Sequence, residues 1–401
     1  MNLSSGYPFE LVKNGLPYDY PILSNNIVSD VVIIGGGISG ALTAYLLVNA
    51  GVNCVMIDGR TIGLGSTCAS TSLLQYEIDV PLIKLQADIG ISNAIRAYYL
   101  GVDAIEKLQG VIRKIKFEQF SARESLYYAA NEKDNSWLLE ESALRIKHGL
   151  KAKYIDAPAL KKQYGMTASG AILSSPAAQT NAYLLTHALL QHSIKKGVKV
   201  FDRTLATKIT HHKTSVTIET GDGAKLKAKK LVYANGYEAV QYVDKKIVDL
   251  ISTYACASVQ ANEEFEFWKD EVMIWNTANP YLYMRTTDDR RIIVGGRDEK
   301  FYNPIKRDKL LPVKTRQLAK DFNTLFPHTP FKPEFSWTGT FGSTKDGLPF
   351  IGNYKKLPNS LFALGFGGNG ITFSMIAAEI ITAMITGKKS QDEDLFSFDR
   401  L

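Results

Sequence analysis

Three glycines near the start of the chain have the spacing of a phosphate-binding turn. Gly35, Gly37 and Gly40 lie in "DVVIIGGGISGALTAYL", between an apolar run and a run with a helical pattern. A side chain is excluded where the turn is tight, where backbone approaches a pyrophosphate and where the helix packs on the strand. The amide groups at the start of the helix then face the phosphates. The stretch therefore predicts a dinucleotide site.

An acidic residue at a suitable distance supports this prediction. The run "NCVMID" predicts a second strand and places Asp58 eighteen residues beyond Gly40. Its carboxylate can accept the hydrogen bonds of a ribose and would repel a 2′-phosphate. We therefore expect an NAD-like ligand or FAD rather than NADP.

The same glycine spacing recurs near the end of the sequence. Gly365, Gly367 and Gly370 stand between "SLFALG", which predicts a strand, and "ITFSMIAAEIITAMITGKK", which predicts a buried helix because it is apolar nearly all round. The segment that follows, "SQDEDLFSFDRL", offers no strand with a ribose-binding acid. We expect a helix N-terminus that stabilises negative charge, such as that of a reduced flavin. Close packing of the strand on the helix is the alternative.

Composition indicates a globular protein of two or three domains. Of the 401 residues, 45% are hydrophobic and 22% are charged, as in ordinary enzymes. The net charge of +7 arises from 47 basic and 40 acidic residues. The basic residues form short clusters interrupted by acids, which is typical of a solvated surface. No nucleic-acid-binding motif accompanies them, so we expect no DNA partner.

Cysteine and histidine patterns argue against disulfides, metal sites and nucleophilic catalysis. Cys54, Cys68 and Cys256 are widely spaced and odd in number, which favours a reducing compartment. The six histidines show no metal-ligand spacing. The sequence shows neither a signal-peptide pattern nor an apolar run of about 18 residues. We expect a cytoplasmic protein with no metal and no transmembrane segment.

Three blocks of sequence, taken together, resemble the family of FAD-dependent D-amino acid, glycine and sarcosine oxidases. They are "VVIIGGGISG…VNCVMIDGRTIGLGSTCASTS", "KLVYANGYEAV" and "SWTGTFGSTKDGLPFIG…LFALGFGGNGITFS", and they occur in the family's order. The similarity spreads along most of residues 28–388. It implies an α/β fold with a discontinuous, Rossmann-like FAD-binding domain and an α+β substrate domain on a mixed sheet. FAD would lie at their boundary.

The resemblance also implies which residues contact FAD. Gly35, Gly37, Gly40 and Asp58 would hold the ADP half, with Arg60 beside it. The other implied contacts, in chain order, are Ser66, Thr67, Thr71, Ser72, Leu73, Ala206, Ala234, Gly236, Gly367, Gly368, Asn369, Gly370, Ile371 and Thr372.

Positions at which the family carries cations hold other residues in this chain. The amino acid oxidases resembled here have an arginine at the position of Phe341, and glycine oxidases have one at that of Gly368. Sarcosine oxidases have a lysine at the position of Thr372 and an arginine at that of Gln75. Their covalent flavin cysteine would fall at Gly339, so we expect FAD to be bound noncovalently.

A substrate carboxylate buried without a cation is unfavourable, so the lack of these cations bears on which substrate the site accepts. Arg285, in the hairpin "YLYMRTTDDRRIIVGG", is a candidate to replace them, or it is a surface arginine. In the same hairpin Tyr281 and Tyr283 alternate with Leu282 and Met284, so one of these pairs should face the cavity. The predicted substrate-site residues are Gln75, Tyr281, Tyr283, Arg285, Phe341 and Asn369.

Two acidic residues follow the segment that the resemblance places along the flavin. Glu77 and Asp79, in "LLQYEIDVPL", could attract a cationic amine or hold the end of a helix.

The resemblance implies hydride transfer from a carbon next to a neutral amine nitrogen to flavin N5, followed by hydrolysis of the imine. We assign no catalytic side chain, because this reaction depends on position and on the cofactor. The substrate would be an amine, an amino acid or an N-alkyl amino acid, and Phe341 favours a bulky or cyclic one over glycine. Electrons would leave to oxygen, a quinone or a protein.

Three other functions are alternatives. A flavin dehydrogenase could oxidise a hydroxy acid, and a noncatalytic flavoprotein would tolerate the loss of the cations. The third is oxidation of an amine carried on tRNA, although we do not expect tRNA as a partner. Binding of tRNA to the protein would weaken steeply as the salt concentration rises.

The patterns divide the chain into three parts. We expect residues 1–27 to form an arm packed on the surface. The FAD-binding domain is predicted over residues 28–85, 155–240 and 335–401. The substrate domain is predicted over residues 86–154 and 241–334, and its helix "PVKTRQLAKDFNTLF" begins at Pro312.

Overall fold

The computed structural model describes residues 1–329 and 331–400 of the chain. Its α-helices are α1 (Phe9–Asn14), α2 (Ile38–Asn49), α3 (Leu82–Ile89), α4 (Ile91–Ile115), α5 (Asn135–Lys147), α6 (Ala157–Tyr164), α7 (Ala182–Lys195), α8 (Pro304–Leu325) and α9 (Gly370–Ile385). Among these described residues, no helix has the length and apolarity needed to cross a membrane.

The strands form two separate sheets. They are β1 (Ser4–Gly6), β2 (Ile27–Ile34), β3 (Cys54–Ile57), β4 (Leu73–Gln75), β5 (Phe120–Tyr128), β6 (Lys151–Asp156), β7 (Gly170–Thr180), β8 (Lys199–Phe201), β9 (Ala206–His211), β10 (Val216–Thr220), β11 (Lys225–Tyr233), β12 (Asp249–Ser258), β13 (Met273–Asn276), β14 (Tyr283–Thr286), β15 (Ile292–Glu299), β16 (Pro333–Ser343), β17 (Phe350–Asn353) and β18 (Ser360–Leu364).

The first sheet has a parallel centre and positions the glycine-rich turn. Its order is β17-β18-β11-β2-β3-β8, and β9 and β10 extend it beyond β11. β2 is buried on both faces: Val31 and Ile33 pack with helices α2, α7 and α9, whereas Val32 and Ile34 pack in a cluster on the opposite face. A continuous apolar run is what a covered parallel strand requires. The carboxyl ends of β2, β3, β11 and β18 consequently meet at one edge, where α/β sheets bind ligands.

The second sheet is mixed and large. Its order is β1-β16-β12-β15-β14-β13-β5-β7-β4, with β6 paired to β7. β14 and β15 form the antiparallel hairpin expected from the sequence. Helix α8 covers one face through Leu318 and Phe322, which pack against Met284 and Val294. The mixed α/β architecture predicted from the sequence is confirmed.

The sheets divide the chain differently from the predicted domains. β7 lies within predicted range 155–240 and β16 within 335–401, yet both pair in the second sheet. The arm predicted over residues 1–27 also contributes, because β1 pairs with β16. The predicted ranges therefore do not follow the two sheets, because strand alternation shows which face is buried but does not identify the partner strand.

Helix α8 begins eight residues before the predicted start. Asn303 accepts a hydrogen bond from the Lys306 amide at 3.0 Å and caps the helix, and Pro304 occupies the first turn. The helix continues through Pro312. A proline inside a helix usually ends it, so the sequence pattern favoured a later start.

Candidate active site

A cavity of about 510 Å³ lies between the two sheets, at the carboxyl edge of the first. It is lined at one end by Asp58 and Arg60, which follow β3, and at the other by Tyr283 and Asp298 of the hairpin. Residues of both sheets therefore enclose one continuous space.

The glycine-rich turn leaves the start of helix α2 open to this cavity. Gly35 has a φ of +117°, a conformation that favours glycine. A Cβ at Gly40 would collide with the carbonyl oxygen of Gly35, so the helix can pack there only without a side chain. Gly37 is the N-cap residue and supplies no side-chain cap. The Ile38 amide donates to the Thr67 hydroxyl at 3.1 Å. Gly37 and Ser39 of this helix end line the cavity, where an anion can approach their backbone.

Asp58 is held in place at the end of β3. Its carboxylate accepts hydrogen bonds from the amides of Gly36 and Arg60, each at 2.7 Å. Burial raises the pKa of Asp58, and these two hydrogen bonds oppose the rise. The carboxylate is thus fixed at the cavity wall, at the position that the sequence predicted for ribose recognition.

The basic group at this end of the cavity already has a partner. Arg60 donates to Glu238 from Nη1 at 2.9 Å and from Nη2 at 2.5 Å. The amino group of Met1 also contacts Glu238, at 2.5 Å. Sequence reasoning missed Glu238, although it lies inside the block "KLVYANGYEAV".

At the cradle end of the cavity, two buried polar atoms of the wall lack hydrogen-bond partners in the part of the chain that the structure describes. Ser66 Oγ and Asn235 Oδ1 are buried and accept or donate no hydrogen bond among the described residues, and both residues line the cavity. Buried polar groups are normally satisfied, so these atoms fit a polar ligand such as a dinucleotide.

Helix α9 begins at the junction between the two ends of the cavity. Asn369 is its N-cap residue, but its amide donates to the carbonyl oxygens of Glu77 at 2.7 Å and Gln75 at 3.3 Å instead of capping the helix. Gly367, at a φ of +55°, turns the chain just before the helix. The positive end of the helix dipole therefore faces the cavity, without a side-chain cap.

Aromatic side chains line the other end of the cavity. Tyr281 and Tyr283 face it, whereas Leu282 and Met284 pack in the hydrophobic core beneath α8. Trp275 adds a third ring, at 5.9 Å from that of Tyr281. The alternation expected from the hairpin sequence is confirmed, with the tyrosine pair facing the cavity.

Two carboxyl groups line the same end. Asp79 accepts hydrogen bonds from the Gly368 amide at 2.8 Å and from the Tyr281 hydroxyl at 3.1 Å. Asp298 Oδ1 is buried without a hydrogen-bond partner among the described residues. Burial raises the pKa of Asp79, and burial together with the charge of Asp79 raises that of Asp298 to about 7.

Arg285 does not reach the cavity. Its side chain is 3% exposed and is used in three contacts: Nε donates to the Thr71 carbonyl at 2.5 Å, Nη1 to the Thr286 carbonyl at 2.9 Å and Nη2 to Glu10 at 3.3 Å. The structure thus places this predicted carboxylate anchor between helix α1 and the Thr71 segment. Alternation places Arg285 on the same face of β14 as Tyr283, but Arg285 lies farther along the strand, opposite Ile293, where this face is covered by helix α1.

Glu77 also lies away from the cavity. It is fully buried and forms an ion pair with Arg145 at 3.3 Å, and Arg145 Nε donates to Glu141 at 2.8 Å. Glu141 in turn accepts the first amide of helix α3, that of Leu82, at 2.9 Å. This network fixes the chain on either side of Asp79.

The cavity brings together most of the predicted site residues. Gly40 and Thr372 are not part of its wall, nor is Arg285. The predicted residues that line it are Gly35, Gly37, Asp58, Arg60, Ser66, Thr67, Thr71, Ser72, Leu73, Gln75, Ala206, Ala234, Gly236, Tyr281, Tyr283, Phe341, Gly367, Gly368, Asn369, Gly370 and Ile371.

The family profile described as "FAD dependent oxidoreductase" matches residues 30–384. The chain belongs to this family. It is therefore an FAD-dependent oxidoreductase. None of its three cysteines lines the cavity, so noncovalent FAD stays the prediction.

Individual relatives agree with this assignment. The chain is 23% identical to the gamma-glutamylputrescine oxidoreductase of Escherichia coli (strain K12), over 96% of this chain and 89% of the relative. It is 23% identical to the glycine oxidase of Bacillus subtilis (strain 168), over 92% and 96% respectively. The crystal structure of glycine oxidase from Geobacillus kaustophilus superimposes with a TM-score of 0.78 at 16% identity, covering 93% of this chain and 99% of that one.

Sequence reasoning missed Asp298, which no motif marks. The register of β15 against β12 shifts between Ser252 and Tyr254, and Gly296 at this shift has a φ of +134°. Alternation along the strand therefore does not show which face Asp298 takes. The family blocks could have pointed to Glu238, but the hairpin sequence offered no comparable signal for Asp298.

Proposed function

We propose that this flavoenzyme oxidises a carbon–nitrogen bond of a small amine or amino acid. The observation that carries the proposal is the continuity of the cavity, which joins a dinucleotide cradle at α2 to an aromatic chamber, with helix α9 at the junction. A neutral amine would lose a hydride from the adjacent carbon and a proton from nitrogen, giving an imine. Water would then convert the imine to a carbonyl compound and free amine.

The cofactor would be held along the α2 cradle. Gly35 and Gly37 leave room for the pyrophosphate, Asp58 accepts from the ribose, and Ser66 and Asn235 supply the unsatisfied polar atoms. Gly40 acts indirectly, by letting α2 pack on the turn. When bound, FAD supplies the acceptor for the hydride.

The chain itself would contribute position and an enclosed environment. The rings of Trp275, Tyr281 and Tyr283 form walls that orient the carbon–hydrogen bond and exclude water. No histidine of the described chain lines the cavity, in keeping with a reaction that depends on position rather than on a histidine base. The α9 N-terminus would stabilise negative charge at this junction.

The test is anaerobic reduction of the purified holoprotein. Amines, N-methyl amines, D- and L-amino acids, cyclic imino acids and hydroxy acids are added separately, and flavin absorbance is followed at about 450 nm, a band that belongs to the cofactor. We expect bleaching by at least one amine or amino acid. Bleaching by hydroxy acids alone would reassign the enzyme to carbon–oxygen oxidation.

Failure of the whole panel would overturn the proposal if dithionite still bleaches the flavin.

A second experiment identifies the electron acceptor, for which oxygen, a quinone and a protein are candidates. The reduced protein is reoxidised with oxygen, with a soluble quinone or with an electron-transfer protein, and the rates are compared.

A further inference from the structure

The chamber at the tyrosine end of the cavity carries acidic groups and no basic side chain among the described residues. Asp79 and Asp298 line it, whereas the basic side chain that lines the cavity, Arg60, is paired with Glu238 at the opposite end. An α-amino acid bound in the chamber would therefore place its carboxylate beside two acids. Burying such a group without a cation is strongly unfavourable.

One acid of the chamber is poised to receive a ligand. Asp298 Oδ1 is buried and has no hydrogen-bond partner among the described residues. Asp79 has two donors, Gly368 N and the Tyr281 hydroxyl, but neither is positively charged. Through its bond to Gly368, Asp79 also lies at the positive end of the α9 dipole, which compensates its charge only in part. A cation in this chamber would supply the hydrogen bond that Asp298 Oδ1 lacks and a full counter-charge.

The surrounding groups favour an ammonium ion as that cation. The rings of Trp275, Tyr281 and Tyr283 line the chamber, and aromatic rings attract cations that approach their faces. Lys314, whose charge acts on Asp298, donates to Glu299 at 2.6 Å and does not line the cavity. Among the residues that the structure describes, no side chain supplies this cation to the chamber.

The surroundings of Gly368 also argue against a basic side chain in the chamber. A Cβ at this position would meet the Tyr281 hydroxyl and the Asp79 carboxylate. A long basic side chain at Gly368 would have to displace this pair. The hydrogen-bonded Asp79 and Tyr281 thus occupy the space that a cation anchoring a carboxylate would need.

We infer that the substrate is an amine with a second, positively charged nitrogen and without a carboxylate, and that Asp298 and Asp79 bind this second nitrogen. The inference rests on the proposed function and names its substrate class as diamines and related polyamines. The reacting nitrogen would be neutral at the moment of oxidation, while the distant nitrogen stays protonated between the two acids.

Three probes of equal chain length separate the possibilities. 1,4-Diaminobutane, n-butylamine and 4-aminobutanoate differ in whether the far end is cationic, neutral or anionic. Binding is measured by calorimetry to holoprotein reduced with dithionite under nitrogen, because reduced flavin cannot oxidise them. We expect the diamine to bind about tenfold or more tightly than butylamine, and the amino acid to bind most weakly.

Variants connect the preference to the acids. Asp298→Asn should remove most of the diamine preference over butylamine, a loss of about tenfold, and Asp79→Asn should act in the same direction. Asp222→Asn, at an exposed turn, is the matched control and should bind as the wild type does. Flavin absorbance and thermal unfolding confirm that each variant is folded and loaded.

Two results would overturn the inference. One is tighter binding of 4-aminobutanoate or butylamine than of the diamine. The other is an unchanged diamine affinity in both folded Asn variants. If amino acids bleach the flavin and diamines neither bind nor bleach it, the inferred substrate class is wrong but amine oxidation stands. If no compound bleaches the flavin, the proposal of amine oxidation is wrong. In that case calorimetry still shows whether the chamber prefers a dication.

Discussion

At the scale of single residues, Gly40 shows how strictly the cradle limits side chains. The Cβ of an alanine at this position would meet the backbone oxygen of Gly35, which cannot move without opening the turn. We expect Gly40→Ala to destabilise the protein by about 1–3 kcal/mol through overpacking. FAD should also be retained less well, as measured by its release during dialysis.

Gly110 is the matched control for this substitution. It also lies in a helix, α4, but a Cβ there would meet nothing within 4 Å. Gly110→Ala should leave FAD retention unchanged and raise stability by about 0.5–1 kcal/mol, because alanine loses less backbone freedom in a helix. Equal effects of the two substitutions would argue against a steric role for Gly40.

Asp298 predicts a pH dependence of stability. Its pKa in the folded protein is about 7, raised mainly by burial. A raised pKa contributes stability that is fully present below the unfolded value of about 3.9 and is lost as pH rises through the folded value. Asp298→Asn removes this loss. The melting temperature of the variant minus that of the wild type should therefore increase from about pH 4 to about pH 8.

Thermal unfolding of the holoprotein across this pH range measures the difference, with Asp222→Asn as an exposed control. The charged and titratable groups that act on Asp298, or on which it acts, are Asp79, Glu299, Lys314, Tyr254, Tyr281 and Tyr283. A difference that stays constant with pH would show that Asp298 titrates normally in the fold.

At the scale of elements, the first helix is tied to the hairpin by a buried ion pair. Arg285 of β14 contacts Glu10 of α1 and the Thr71 carbonyl. Asn181, at the start of α7, donates to Glu10 at 2.7 Å. Through these contacts the N-terminal segment braces the Thr71 stretch of the cavity wall.

Arg285→Met is expected to destabilise the protein by about 3–5 kcal/mol, because it leaves Glu10 buried without its partner. Chemical unfolding measures the loss, and limited proteolysis should show earlier cleavage near α1. Lys246→Met removes an exposed ion pair with Asp249 and should change stability by about 1 kcal/mol or less. If Arg285→Met left stability intact and weakened binding of carboxylate substrates alone, Arg285 would be the substrate anchor that the sequence suggested.

Element boundaries were predictable where local signals dominate. β2, α2, β18 and α9 follow from apolar runs and glycine turns, since both act within a few residues. The pairing of β7 and β16 was not predictable, because the partner of a strand depends on residues far along the chain. In helix α8 the local signal was misleading. Pro312 favoured a later helix start, but it lies inside the helix, whose residues Leu318 and Phe322 pack in the hydrophobic core.

At the scale of the whole molecule, the two sheets share one cavity, so a ligand bound there should stabilise both. We expect the FAD-free protein to unfold at a lower temperature than the holoprotein. Added FAD at about 100 times its dissociation constant should restore about 2.7 kcal/mol. Differential scanning calorimetry with increasing FAD measures this shift.

NAD and NADP are the controls for that experiment, at the same concentrations. Neither should shift the transition as far as FAD does, because the family is FAD-dependent and no further nucleotide-binding unit follows the second glycine stretch among the described residues. A shift by NAD equal to that by FAD would contradict the cofactor specificity and would indicate direct reduction by a nicotinamide.

The sequence by itself determined the cofactor cradle and the family, because glycine spacing, an acid after the second strand and three ordered blocks are local features. It also marked the tyrosine pair, since strand alternation is local as well. The tertiary structure alone decided the charge of the chamber at the tyrosine end of the cavity. Asp79, Asp298 and Tyr281 meet across more than two hundred residues of chain, and Arg285 is drawn away to Glu10. Such meetings depend on strand register and long-range packing, which no short stretch of sequence encodes.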